Sequence, residues 1–127
     1  MDTIKKNKEF IIRYFNAISG QDKTPELIDQ FVQDTKLKGH IQFFESTFPR
    51  YELFIDEMTA EGNRVIVKAH WKGRHEGELN GIPPTHKYVE QAVILGYTIE
   101  NGKIIDHWLL GDTVVLMEQL GVMGQPA

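Results

Sequence analysis

Glu100-Asn101-Gly102-Lys103-Ile104-Ile105-Asp106-His107-Trp108-Leu109-Leu110 reads as a turn running into a β-strand, and the winding of that turn decides which side chains the fold encloses. Side chains alternate along a strand, so slipping the pairing by one residue turns each of them to the opposite face. Asn101-Gly102 alone could form a two-residue type I′ turn, which sets Leu95 opposite Trp108. A three-residue turn, Glu100-Asn101-Gly102 with the glycine left-handed, sets Leu95 opposite His107 and Val93 opposite Leu109. The second winding gathers Val93, Leu95, Tyr97, Ile99, Ile105 and Leu109 on one face, with Gln91 and His107 as its polar members. The first scatters them, so the second is the expectation.

Upstream of this hairpin the period of two continues. Tyr88 to Ile99 is the partner strand, and residues 76 to 86, rich in glycine and proline, form a loop. Before the loop lies a strand in which Val65, Val67, Ala69 and Trp71 point one way while Lys68, His70, Lys72 and Arg74 point the other. Glu61-Gly62-Asn63 is a turn, and Tyr51, Leu53 and Ile55 alternate with Glu52, Phe54 and Asp56.

The first third of the chain changes period. Ile4, Ile11, Phe15 and Ile18 recur at helical spacing up to a stop at Gly20. Thr24-Pro25-Glu26 starts a second helix, since threonine caps and proline fits the first turn. Leu37, Ile41, Phe44 and Phe48 mark a third, ended by Pro49. Beyond the last strand Asp112 caps a short helix carrying Val115, Leu116 and Leu120, closed by Gly121, and Gly124-Gln125-Pro126-Ala127 reads as a frayed tail. Helices first and antiparallel strands afterwards is the α+β order, with the helices on one face of a curved sheet.

A chain of 127 residues fits one domain, 1–127. Its net charge of −4 leaves no basic stripe for phosphates, so no nucleic-acid partner is expected. No run approaches the ~20 apolar residues of a membrane span, and Met1 to Lys8 does not read as the start of a signal peptide. Cysteine is absent, which removes disulfides, thiolate metal ligands and a cysteine nucleophile. The histidines show no metal-ligand spacing, and there is no phosphate-binding glycine loop. A cytoplasmic protein without metal or cofactor is the expectation.

The stretch Gly81-Ile82-Pro83-Pro84-Thr85, taken with the hairpin ending in His107-Trp108, resembles the SnoaL-like polyketide cyclases. The likeness is strongest from Phe48-Pro49 to Gly121 and weakest between Val32 and Leu37, where these proteins commonly carry a longer pocket-closing segment. It implies a cone-shaped curved antiparallel sheet with N-terminal helices packed on its concave face, enclosing a pocket. It also implies cofactor-independent acid/base chemistry on a small, apolar or polyketide-like molecule. In that family the position two residues after the terminal-strand histidine usually carries an aspartate that shuttles protons during aldol ring closure, with a polar partner on the preceding strand. Those positions here are Leu109 and Leu95.

Leucine moves no proton, so cyclase chemistry is either lost or shifted to other groups. The candidate catalytic set is His107, His75 and Asp112. An imidazole in a cavity suits general acid/base work near neutral pH. Asp112 matches the second acid of the family's terminal motif; it already has a capping role, and could also orient His107. The expected ligand-binding wall is Tyr14, Phe15, Phe44, Trp71, Gln91, Val93, Leu95, Tyr97 and Leu109. A competing reading is a non-catalytic binding module or dimeric accessory protein on the same fold. Ile94, Trp108 and Leu110 face the other side of the hairpin; they imply, with the family's habit, a homodimer through the convex sheet face.

Overall fold

The computed structural model describes residues 2–121. Helix α1 (Asp2–Ile18) is followed by the short α2 (Pro25–Asp29) and by α3 (Thr35–Thr47). Four strands come next, β1 (Glu52–Glu61), β2 (Arg64–Arg74), β3 (Tyr88–Glu100) and β4 (Lys103–Gly111), and then α4 (Thr113–Leu120). The strands form one curved, open antiparallel sheet in the order β1-β2-β3-β4, and the helices lie against it in the α+β arrangement expected. The tail from Gly124 to Ala127 lies outside the described residues. Among the described residues, no helix is long and apolar enough to cross a membrane.

The local signals translate into caps and stops. Thr24 Oγ1 accepts the Leu27 N–H at 3.2 Å, and Asp112 Oδ1 accepts that of Val115 at 3.1 Å. Each such cap is worth about 1 kcal/mol. Gly121 ends α4 in the left-handed conformation, φ 75°. Phe10, Ile11, Tyr14, Phe15 and Ile18 form the buried stripe of α1, which packs on β1 and β2. One charged group joins this interior. The Lys23 ammonium is enclosed where it donates to the carbonyls of Tyr51 (2.8 Å) and Gln21 (3.1 Å) and meets Glu45 at 3.4 Å.

Two bulges set the faces of the sheet. Asp56 is an extra residue in β1, so Leu53 and Ile55 face inward before it and Met58 and Ala60 after it, opposite Val67 and Val65. The second bulge corrects the expected hairpin. The turn is the two-residue one, Asn101 (φ 52°) and Gly102 (φ 72°), with Glu100 facing Lys103. Ile99 then faces Ile104, but Thr98 faces Asp106, leaving Ile105 without a partner. Neither expected register survives: Leu95 faces Leu109, Tyr97 faces His107 and Val93 faces Gly111. The grouping of faces holds except at Ile105, because Ile104 is the residue buried inside.

The cause of the bulge lies far away in sequence. Segment 31–34 runs beside the start of β4, and the Ile104 carbonyl accepts the N–H groups of Gln33 (2.8 Å) and Asp34 (3.1 Å). The Ile104 N–H goes to the Phe31 carbonyl at 2.8 Å. With both its backbone groups engaged there, Ile104 is drawn under the helices and the strand regains β3 one residue later.

Candidate functional site

Inward-facing side chains and the helices enclose one apolar cavity. Tyr14 and Ile18 of α1, Leu37, His40, Ile41 and Phe44 of α3, and Tyr51 and Leu53 at the start of β1 cover it. Trp71 of β2, Gln91, Val93, Leu95 and Tyr97 of β3, and Leu109 of β4 form the sheet side. Eight expected wall residues are therefore brought together: Tyr14, Phe44, Trp71, Gln91, Val93, Leu95, Tyr97 and Leu109. Phe15 is the exception. It is buried edge-on behind Tyr14 and Tyr97, with ring centres 5.8 and 6.4 Å away, and supports the wall from outside the cavity.

The cavity volume is about 50 Å³, room for a few ordered waters. Ligand pockets usually measure ~300–1,000 Å³. An organic molecule therefore enters only if side chains such as Leu37, Phe44 and Leu109 give way.

Polar groups on the wall are few and mostly donors. The Trp71 indole N–H donates to Gln91 Oε1 at 2.7 Å. That bond fixes the amide and leaves its NH₂ as the free end. Burial raises the pKa of the Tyr14, Tyr51 and Tyr97 phenols, and their mutual proximity adds to this for Tyr51 and Tyr97. All three stay protonated. Neither lysine nor arginine lines the cavity.

His107 does not line the cavity; its side chain is 12% exposed, and its Nδ1 donates to Asp34 Oδ2 at 2.7 Å. The two are joined although 73 positions separate them. The backbone bond from Asp34 to Ile104 explains this, since it lays the carboxylate alongside the strand that carries His107. Asp34 Oδ1 meanwhile caps α3, accepting from Lys36 N (2.9 Å) and Leu37 N (3.3 Å). Burial opposes ionisation of Asp34, but hydrogen bonds from His107, Leu37 and Lys36 outweigh it and lower its pKa. No protein group among the described residues bonds to His107 Nε2.

His40 lies on the cavity wall, edge-on to Phe44 at 4.6 Å and 6.3 Å from the His107 ring. Burial, with the charge of His107 second, lowers its pKa. The sequence reading missed both Asp34 and His40. His40 had a signal: Leu37, His40, Ile41 and Phe44 follow the i, i+3, i+4, i+7 spacing of one helix face. Asp34 had none beyond its value as a cap.

The other two candidates do not reach the cavity wall. His75 is fully buried and its Nδ1 accepts the Thr85 N–H at 3.1 Å, with Thr85 Oγ1 at 3.0 Å. A backbone N–H can only donate, so the His75 proton sits on Nε2, which is buried without a partner among the described residues. Asp112 caps α4 and makes no bond to His107; the orienting carboxylate is Asp34. His86, outside the cavity, pairs with Glu76 at 2.8 Å. Among the described residues, no three His, Asp or Glu side chains converge as metal ligands.

On the opposite sheet face Trp108 lies flat across Gly96, where an added Cβ would fall 2.1 Å from the indole. Ile66 and Ile94 are each about two-fifths exposed and Leu110 about two-thirds, so an apolar ridge faces outward.

The family model described as SnoaL-like polyketide cyclase matches residues 21–120. No curated protein matches the chain. Among solved structures, AclR from Streptomyces galilaeus is 19% identical, with a TM-score of 0.80 over 98% of this chain and 86% of that one. TsrD from Streptomyces laurentii is 22% identical, with a TM-score of 0.79 over 92% and 96%. A SnoaL-like polyketide cyclase from Agrobacterium tumefaciens is 15% identical, with a TM-score of 0.74 over 91% and 98%. At these identities the structural likeness is one of fold.

Proposed function

The chain belongs to the SnoaL-like polyketide cyclase family, and from that premise we propose that it encloses a small, largely apolar molecule and moves a proton on it without a cofactor. The observation that carries the reading is an apolar cavity with the His40 imidazole on its wall and the Asp34–His107 pair behind it, the two imidazole rings 6.3 Å apart. Nδ1 of His107 is committed to the carboxylate, which fixes that ring and leaves Nε2 without a protein partner among the described residues. Imidazole suits acid/base work near neutral pH, and these rings take the place of the acid that the resemblance puts where Leu109 lies. Cyclisation, isomerisation and hydrolysis all fit such a group. The donor-rich, uncharged wall suits a ligand whose oxygens accept hydrogen bonds.

One observation favours a second reading. Leu95 and Leu109 face each other across the hairpin, where acid–base side chains would stand in a ring-closing enzyme. On that reading the protein binds its ligand and releases it unchanged. The two separate by substitution. His107→Asn lowers turnover at least about tenfold with ligand affinity kept if the protein is catalytic. If it only binds, affinity responds to size, as in Leu109→Trp or Leu95→Phe, and His107→Asn changes little.

The apolar ridge of Ile94, Trp108 and Leu110 supports a two-fold homodimer, the occupant being the same face of a second copy. Sedimentation at micromolar concentration tests it; Leu110→Lys shifts the protein to monomer, and a wild-type monomer overturns the dimer.

A further inference from the structure

We propose that His40 is the group that touches the bound molecule and exchanges the proton with it. This rests on the acid/base reading of the same cavity and assigns the step to one side chain. Three observations converge on His40. It is the one imidazole among the residues that line the cavity, and His107 is not one of them. It makes no hydrogen bond to protein among the described residues, so its ring nitrogens are uncommitted. It also belongs to the inward face of α3, held edge-on against Phe44, with His107 at 6.3 Å.

The groups facing His40 across the cavity divide into two kinds. From β4 comes His107, with Asp34 behind it at the start of α3. Tyr14, Tyr51 and Tyr97 approach from α1, the start of β1 and β3, and burial keeps their hydroxyls protonated. Burial is the main reason the pKa of His40 is lowered, and the charge of the neighbouring His107 adds to it.

A neutral His40 takes a proton from carbon next to a carbonyl: the C–H bond breaks, an N–H bond forms, and the electron pair passes to the carbonyl oxygen. Phenol hydroxyls donate to the enolate oxygen, which needs no cation on the wall. Imidazolium and enolate balance in charge. Return of a proton from His40, after exchange with solvent, restores the starting states. The substrate class is a neutral molecule with a C–H made acidic by an adjacent carbonyl.

Cyclopentanone in D₂O is the probe, with replacement of its α-hydrogens followed by proton NMR in the presence of the full chain. The wild type is expected to exchange faster than buffer, at a rate that rises with pH as His40 loses its proton. His40→Gln is expected to lose about a hundredfold of that acceleration. His107→Gln is expected to lose about tenfold and to move the midpoint of the pH profile upward, because the like charge is gone. If the wild type exchanges no faster than buffer, the acid/base reading of the cavity fails. If the wild type accelerates exchange and His40→Gln does so equally well, only the His40 assignment falls. Should His40→Gln fail to fold, imidazole NMR of the wild type titrated with cyclopentanone decides: a change in the His40 ring signals supports the assignment, and unchanged His40 signals beside accelerated exchange overturn it.

Discussion

His75 and His107 use the same ring nitrogen in opposite ways. At the loop that closes β2 onto β3, His75 Nδ1 accepts from the Thr85 backbone, and the ring is sealed at 0% exposure. At the seam of α3 and β4, His107 Nδ1 donates to a carboxylate and Nε2 is left without a protein partner. A fixed backbone donor makes the first imidazole part of the scaffold. A carboxylate holds the second in place by one nitrogen and leaves the other without a protein partner among the described residues. Two histidines that the sequence reading grouped as catalytic candidates thus sit in different physical settings, and the difference lies in the partner of one nitrogen.

The sharpest way to break this contrast is to remove the buried ring. His75→Ala leaves the Thr85 N–H unpaired beside an unfilled space, and urea unfolding is expected to show a loss of about 3 kcal/mol. A loss under about 1 kcal/mol would mean that His75 does not hold the loop.

A smaller, pH-dependent effect belongs to the other region. Because Asp34 has a lowered pKa in the fold, its ionised form stabilises the protein above the usual aspartate value of ~3.9. That contribution fades as pH falls through the folded value. Asparagine still caps α3, so Asp34→Asn tests the carboxylate alone. Denaturation midpoints should place it about 1–2 kcal/mol below wild type at pH 7. The two proteins should converge as the pH approaches 2. A gap that persists in acid would assign the loss to the cap.

The smallest change sharpens the His75 side. Thr85→Val removes the hydroxyl at 3.0 Å but keeps the N–H at 3.1 Å. The expected cost is under about 1 kcal/mol by thermal or urea unfolding, since the backbone donor still fixes the ring. A cost equal to that of His75→Ala would make the hydroxyl the controlling contact.

Most of the fold was legible in the sequence because its signals are local. Thr24, Asp112 and Gly121 cap helices by chemistry confined to one turn, and Val65 to Trp71 alternate through side-chain geometry alone. The cavity wall was legible for the same reason, since residues two apart on β3 share a face. The register of the β3–β4 hairpin was not. The turn is the two-residue Asn101-Gly102 one rather than the expected three-residue winding, and the bulge at Ile105 depends on Phe31, Gln33 and Asp34, some 70 positions away in the chain, where no local pattern reaches.

The sequence by itself determined the order of elements, their ends, and which residues could share a face, because each follows from the stereochemistry of a few adjacent residues. Only the tertiary structure decided that Asp34 meets His107, that His40 lines the cavity, that His75 bonds to Thr85, and that Asp112 caps α4 without reaching His107. Those outcomes turn on where α3 and its leading segment come to rest on β4. That resting place is set by packing and backbone hydrogen bonds between distant parts of the chain.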